Sequence, residues 1–305
     1  MTDEKTEPPT DDATPEPNTP EPKTPEPNTP EPKKKGLGGT AMRFATALPL
    51  IPIIVWLMFW EESLGFQIFG AIWTGICAHE LMTMAMPNAT LSKWWGVVAT
   101  LGVSIVIFRT PDYLMAALLA ALFGTLIVAI KDAEPIDAAA GRIGWMLGSV
   151  LYLGVPLGAL ALLQQVEHGG AWVLLSMFVA FLSDTGAYFA GRFFGKHKLS
   201  PKLSPKKTIE GSIGGLLVAT AGAIALQQTL LTHVPLLHVA ILAPVAAAFG
   251  QAGDLLESLL KRSCGVKDSG KIMPGHGGLL DRSDALLFTS TAVFAYVTWL
   301  APLFT

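Results

Sequence analysis

The chain has 305 residues, of which 51% are hydrophobic and only 15% are charged, and its mean hydropathy is +0.47. This composition lies outside the range of ordinary soluble proteins and indicates an integral membrane protein. The formal net charge of -3 excludes little, because the distribution of charge matters more than its sum. Two cysteines, Cys77 and Cys264, provide neither a disulfide framework nor a metal cluster, so we expect reduced thiols.

Residues 1–36 differ from the rest of the chain in composition. The motif Thr-Pro-Glu-Pro begins at residues 14, 19, 24 and 29, and the stretch ends in Lys33, Lys34 and Lys35. Alternate prolines are incompatible with helix and sheet, and nothing apolar is available to bury. No apolar core of a signal peptide opens the chain. We therefore predict a disordered cytoplasmic tail over residues 1–36 and a transmembrane enzyme domain over residues 37–305.

Apolar runs of about 17–25 residues are long enough to span a bilayer as helices. Nine such runs follow the tail, and they predict an all-α, polytopic membrane protein with about nine transmembrane helices. Pro49, Pro52 and Pro156 predict kinks in the first and fifth. The predicted spans are 43–60, 65–84, 94–109, 112–130, 143–163, 171–191, 211–232, 236–260 and 285–303.

The distribution of Lys and Arg predicts the orientation. With a cytoplasmic tail, nine crossings place the loops before the third, fifth, seventh and ninth spans on the cytoplasmic side, and almost all cations of the loops fall there. The opposite loops contain Glu61, Glu62 and few cations. The positive-inside rule therefore predicts a cytoplasmic (inner) membrane protein whose polar chemistry lies at the cytoplasmic face.

The sixth predicted span contains an ionisable face. Asp184, Tyr188 and Arg192 are spaced at i, i+4 and i+8, and small residues between them allow close helix contact. An acid inside a membrane span is a functional candidate, because burying it without a partner is costly. The alternative is a structural salt bridge from Asp184 to Arg192 or to another helix.

A basic loop leads into the seventh span and ends in Ser204, Pro205, Lys206, Lys207 and Thr208. The free N–H groups of a helix N-terminus favour anions, so this sequence predicts a phosphate site. The alternative is a loop that is basic only because of topology and contact with anionic lipid.

Residues 251–285, from the end of the eighth predicted span to the start of the ninth, carry the densest charge in the apolar part of the chain. On a helix, Asp254, Ser258, Lys261 and Arg262 share one face. The helix is expected to stop near Gly265, before a stretch with four glycines whose backbone can approach phosphate. Acids for a divalent cation, bases for phosphates and a histidine are the components of phosphoryl or nucleotidyl transfer. The charged residues and the histidine are Asp254, Glu257, Lys261, Arg262, Lys267, Asp268, Lys271, His276, Asp281, Arg282 and Asp284.

Three separated blocks resemble the phosphatidate cytidylyltransferase family, also called CDP-diacylglycerol synthases. They are Asp184-Thr-Gly-Ala-Tyr before Gly191-Arg192, then Ser204-Pro-Lys-Lys-Thr before Glu210-Gly-Ser, and the long run from Ser258 to Asp284. Met273 and Ser283 depart from the family pattern, but neither replaces a charged residue or a glycine. Gln164 and Gln165 stand where the family commonly has an arginine. A weaker similarity extends to Glu80, where the family commonly has an acid.

The resemblance implies transfer of a cytidylyl group from CTP to phosphatidic acid. CTP, phosphatidic acid and membrane lipids are then the expected partners, with no nucleic acid and with a homodimer as one possible assembly. Mg²⁺ or another hard divalent cation is the expected cofactor. We predict metal ligation by Asp254, Asp281, Asp184 and Asp268. The predicted catalytic residues are Asp254, Lys261, Arg262, Asp281 and Arg282, and the predicted substrate-binding residues are Ser204, Lys206, Lys207, Thr208, Lys267 and His276.

Two alternative functions accompany this interpretation, and two single residues have alternative roles. A related membrane nucleotidyl- or phosphotransferase acting on a polyprenol or ether lipid would keep the same acids and bases. An ion-coupled transporter would also place Asp184 and Asp254 within membrane spans, although its site would lie near the midplane. For single residues, His276 fits a backbone-bonding turn almost as well as a phosphate ligand, and Glu80 fits a helix-interface ion pair as well as a functional acid.

Overall fold

The protein is a bundle of long apolar helices. The computed structural model describes residues 2, 52–60, 63–272 and 277–303. Over these residues, eight helices are long and apolar enough to cross a membrane. They are Leu64–Ala85, Thr90–Arg109, Pro111–Lys131, Ile136–Leu163, Gly169–Phe194, Ile209–Leu230, Leu236–Ser263 and Asp284–Leu303.

The prediction of a polytopic all-α membrane protein is confirmed, and the eight spans match the second to ninth predicted spans within a few residues at most ends. The largest difference is the fifth span, which begins at Ile136 rather than near residue 143. Half of the first predicted span, 43–60, lies outside the described residues, and its described part is helical over residues 52–59. Apart from residue 2, the predicted tail also lies outside them and stays a prediction.

We number the helices in chain order and take residues 52–59 as α1. The others are α2 (Leu64–Ala85), α3 (Thr90–Arg109), α4 (Leu114–Lys131), α5 (Ala139–Ser149), α6 (Val155–Leu163), α7 (Gly169–Phe194), α8 (Ile209–Leu230), α9 (Leu236–Ser263) and α10 (Asp284–Ala295).

The fifth span is interrupted, as its proline predicts. A π-helical turn, Val150–Gly154, separates α5 from α6, and the N–H of Val155 bonds to the carbonyl of Val150. Pro156 follows at the start of α6 and has no N–H to continue a regular ladder. The interruption lies inside the bundle, where the neighbouring helices tolerate it.

A two-stranded antiparallel hairpin, β1 (Lys198–Ser200) and β2 (Ser204–Thr208), connects α7 to α8. The sequence predicted only a basic loop here. Thr208 ends β2 and caps α8, since its hydroxyl accepts a hydrogen bond from the N–H of Gly211 at 3.1 Å. The hairpin therefore fixes where Lys206 and Lys207 lie relative to the helix N-terminus.

Small residues bring α7 and α8 into close contact, as the sequence predicts. A Cβ atom on Gly214 would lie 2.2 Å from the Cβ of Ala190, and one on Gly186 would lie 2.7 Å from the Cβ of Val218. Neither position has room for a larger side chain. This contact sets the polar face of α7 beside β2 and the start of α8.

Helix α9 ends where the sequence predicts. Ser263 is its last residue, Gly265 has a φ of +70°, and the N–H of Val266 bonds back to the carbonyl of Lys261 at 3.0 Å. This is a common glycine-containing helix stop. It leaves Lys261 in the last turn of α9, facing the segment that returns toward α10.

Candidate active site

A polar cavity of about 420 Å³ lies between α7, the hairpin, α8 and α9. Asp184, Tyr188 and Arg192 line it from α7, so the face predicted for this helix does point into one cavity. Arg192 donates a hydrogen bond to the hydroxyl of Tyr188 at 3.0 Å. Within the described part of the chain, Arg192 forms no salt bridge to Asp184. The other charged or hydroxyl side chains of the lining are Lys206, Lys207, Thr208, Ser212 and Asp254.

Lys207 connects the hairpin to α9. Its ammonium group forms a short, half-buried salt bridge with the carboxylate of Asp254. On the same helix, Gln251 donates to the hydroxyl of Ser183 at 3.0 Å and accepts from Ser212. These contacts hold α7, α8 and α9 around the cavity, and they place the ammonium group of Lys207 directly beside Asp254.

A second cavity, of about 330 Å³, shares Asp184 with the first. Its other charged lining residues are Asp281, Arg282 and Asp284, and the rest of the lining is mainly apolar, including Phe69, Trp73, Leu160, Met177 and Phe181. A mostly apolar pocket with a few charged groups suits a molecule that has both an apolar and a charged part.

Three carboxylates converge at the boundary of α9 and α10. Asp254, Glu257 and Asp284 each offer an oxygen, and these oxygens lie within 4.8 Å of one another. Glu257 is fully buried, and its Oε1 atom has no hydrogen-bond donor among the described residues. Three anionic groups this close repel one another unless a cation or a proton lies between them. Oxygen-only ligands with one unpartnered buried acceptor fit a hard divalent cation.

Asp281, which the sequence analysis placed among the metal ligands, does not belong to this group of three carboxylates. Its Oδ1 accepts a 2.6 Å hydrogen bond from Lys261, and its Oδ2 accepts from the N–H groups of Gly278 at 2.9 Å and Ser269 at 3.0 Å. Burial raises the pKa of the Asp281 carboxyl, but the bonds from Lys261, Gly278 and Ser269 outweigh it and hold the pKa below its usual value. Asp281 is therefore an anion that holds a loop and a lysine.

Lys261 links this anion to the group of three carboxylates. Its ammonium group also donates to Glu257 at 3.0 Å, and its side chain is only 13% exposed. The spacing Asp254, Glu257, Lys261 is i, i+3, i+7, so one face of α9 carries all three. This spacing could have identified Glu257 as a further candidate ligand on the face of Asp254, but the ligands predicted from the sequence did not include it.

The other predicted site residues are more dispersed. Arg262 is exposed and donates to the carbonyl of Val266, and Lys267 and Asp268 are exposed in the following loop. Ser204 starts β2 and pairs with Ser200. Their predicted roles stay predictions, and His276 lies outside the described residues.

Comparison with known proteins settles the family. A profile described as the cytidylyltransferase family matches residues 41–300. This chain belongs to the cytidylyltransferase family. A phosphatidate cytidylyltransferase of Staphylococcus saprophyticus is 34% identical over 257 residues, covering 81% of this chain and 95% of the relative. The enzyme of the same name from Staphylococcus aureus is 33% identical over 259 residues, with the same two coverages. That of Staphylococcus epidermidis is 44% identical over 142 residues, or 47% of this chain and 54% of the relative.

The matched region of this cytidylyltransferase contains both cavities and the group of three carboxylates. The family resemblance stated from the sequence blocks is thus confirmed by a match over most of the chain.

Proposed function

We propose that this chain is a phosphatidate cytidylyltransferase, which joins CTP to phosphatidic acid and releases pyrophosphate. The observation that carries the proposal is the juxtaposition of a polar, cation-lined cavity with a mostly apolar one that shares Asp184. A nucleotide triphosphate suits the first cavity, and an anionic lipid suits the second. The relatives named for this reaction support the assignment.

In the reaction, an oxygen of the lipid phosphate attacks the α-phosphorus of CTP. The new oxygen–phosphorus bond forms as the bond from the α-phosphorus to the bridging oxygen of the β-phosphate breaks, and pyrophosphate carries away the electron pair. The lipid phosphate is already a competent nucleophile, so no strong base is needed. Positioning and neutralisation of charge are what the protein has to supply.

The residues of the chain divide these tasks. Lys206 and Lys207, at the N-terminus of α8, bind phosphate oxygens of the nucleotide. Arg282 lines the second cavity and pairs with the lipid phosphate. Lys261 lies beside Glu257 and stabilises negative charge that develops at the reacting phosphates. Asp184 lies between the two substrates.

We propose that Asp254, Glu257 and Asp284 hold Mg²⁺. An ion held there would supply positive charge that lowers the repulsion between the two anionic substrates. Asp281 was the other main ligand expected from the sequence. Its carboxylate oxygens already accept hydrogen bonds from Lys261, Ser269 and Gly278, so we propose that Asp281 positions Lys261 instead.

The basic hairpin and the α9–α10 loop contribute residues to the same site, and we propose that this side faces the cytoplasm. Three features support the orientation: the excess of Lys and Arg in these loops, the basic segment 33–35 before the first span, and the location of CTP in the cell. The acyl chains of the lipid then stay in the bilayer while the nucleotide binds from water.

The test is an assay of the purified full chain in detergent or nanodiscs. We expect pyrophosphate release that requires both CTP and phosphatidic acid, with CDP-diacylglycerol as the product. Turnover with a polyprenol phosphate or an ether lipid, but not with phosphatidic acid, would assign the chain to another lipid. Absence of CTP-dependent turnover with every lipid acceptor would contradict the proposed function.

Lys207 offers a test of the nucleotide cavity. Lys207→Gln removes a cation from the salt bridge with Asp254 and from the phosphate site, so we expect kcat/KM for CTP to fall by about ten- to a hundredfold. Lys202→Gln is the matched control, because Lys202 is an exposed lysine of the same hairpin that does not line the cavity. Equal effects of the two substitutions would show that only the general charge of the hairpin matters.

A further inference from the structure

Glu80 is a buried acid of α2 whose carboxyl oxygens accept hydrogen bonds from backbone N–H groups. The side chain is 4% exposed. Its Oε1 accepts a hydrogen bond from the N–H of Leu279 at 3.1 Å, and its Oε2 accepts one from the N–H of Leu280 at 2.9 Å. Over the described residues it forms no salt bridge. Its partner is thus the start of a short 3-10 turn, Leu280–Arg282, rather than a cation.

The same face of α2 also contacts Ser283, which directly follows this turn. Trp73 lies seven residues before Glu80, about two helical turns away on the same face. Its indole N–H donates to the hydroxyl of Ser283 at 2.7 Å, and Ser283 in turn donates to the carbonyl of Leu279 at 2.9 Å. Helix α2 therefore contacts the turn on both sides of Asp281.

Two glycines allow the loop to approach the carboxylate of Glu80 this closely. A Cβ atom on Gly270 would lie 2.4 Å from Glu80 Oε1, and one on Gly278 would lie 2.7 Å from Glu80 Oε2. The hydroxyl of Ser269 lies 3.0 Å from Asp281 Oδ2 and 3.4 Å from Glu80 Oε2, so the two carboxylates share its single hydrogen. Residues near both ends of the loop between α9 and α10 therefore contact the carboxyl group of Glu80.

From the turn, a continuous set of contacts leads to the group of three carboxylates. Asp281 binds Lys261 at 2.6 Å, and Lys261 binds Glu257 at 3.0 Å. We propose that Glu80 is a positioning residue for the transfer reaction: by fixing the backbone of Leu279 and Leu280 it sets the place of Asp281 and, through it, of Lys261. The inference rests on the proposed function, because Lys261 acts on the phosphates that this function supplies.

Glu80→Gln tests the proposal with little change of size. The amide keeps one acceptor but turns the other into a donor that faces an N–H group, so one backbone contact is lost. We expect kcat to fall about tenfold with KM for CTP nearly unchanged. The lost contact should displace Lys261, which stabilises the transition state, and should have little effect on the binding of CTP itself.

A double-mutant cycle separates positioning from simple destabilisation. If Glu80 acts through Asp281, the variant Glu80→Gln/Asp281→Asn should be no slower than Asp281→Asn alone. If the kcat losses of the two single substitutions multiply in the double variant, the proposal is overturned.

The matched control is Thr74→Val. It removes the buried contacts of a hydroxyl group on α2, to Gly70 and Ser104, away from the turn. We expect it to lower the thermal midpoint and leave kcat unchanged. If Glu80→Gln and Thr74→Val lower the thermal midpoint equally and also lower kcat equally, the proposal is overturned as well.

Hydrogen exchange gives a readout that needs no substrate. We expect amides of residues 277–283 to exchange faster in Glu80→Gln than in the unsubstituted chain, and not to change in Thr74→Val. Unchanged exchange in Glu80→Gln would count against the role of Glu80 itself. Failure of the unsubstituted chain to turn over CTP with phosphatidic acid would count against the proposed function instead, so the two failures are distinguishable.

Discussion

Asp254→Asn is expected to lower kcat by about a thousandfold or more, the largest effect of any substitution we predict. Asp254 belongs to the group of three carboxylates and also accepts the salt bridge from Lys207. Its neutral amide is a poor ligand for a hard cation and leaves Lys207 without its counter-ion. The substitution therefore weakens both the metal site and the nucleotide cavity.

The measurement pairs turnover with thermal unfolding in detergent. Mg²⁺ should raise the unfolding midpoint of the unsubstituted chain, because a ligand that binds only the folded state stabilises it. This increase should disappear in Asp254→Asn. Asp137→Asn makes the same chemical change at an exposed acid outside both cavities and should leave rate and midpoint unaltered. Near-normal turnover by Asp254→Asn, or an unchanged response to Mg²⁺, would remove Asp254 from metal binding.

Much of the fold could be predicted from hydrophobic length alone. A run of about 20 apolar residues has few alternatives to a membrane-spanning helix, and the eight described spans lie where the sequence placed them. The hairpin before Thr208 was missed because Pro201 and Pro205 read as loop residues, and because two short strands carry no periodic signal. Pairing of such strands depends on contacts between them rather than on local preference.

The candidate site was predictable where helix geometry applies and not where a loop intervenes. Asp184 and Asp254 line one cavity because each lies on a helix whose face could be deduced from spacing. Asp281 and Asp284 follow a glycine-rich loop, and spacing could not decide which of them points toward Asp254. The 3-10 turn directs Asp281 to Lys261, and Asp284, at the start of α10, points to the other carboxylates.

This difference between the two aspartates leads to the second large expected effect. Asp281→Asn should lower kcat by about a hundredfold, because it breaks a salt bridge whose aspartate side chain is only 7% exposed and removes the charge that holds Lys261. The amide still accepts some of the bonds from Ser269 and Gly278, so insertion and folding should persist. The sequence placed Asp281 among the metal ligands, whereas we attribute the expected loss of turnover to the displacement of Lys261.

Two measurements distinguish these explanations. Asp281→Asn should retain the Mg²⁺-dependent increase of the unfolding midpoint, and Asp284→Asn should lose it, since only Asp284 belongs to the group of three carboxylates. Lys261→Gln should slow turnover about as much as Asp281→Asn, and the two substitutions combined should cost little more than either one. If Asp281→Asn instead loses its response to Mg²⁺, Asp281 is a metal ligand after all, and the role assigned here to Lys261 has to be given up.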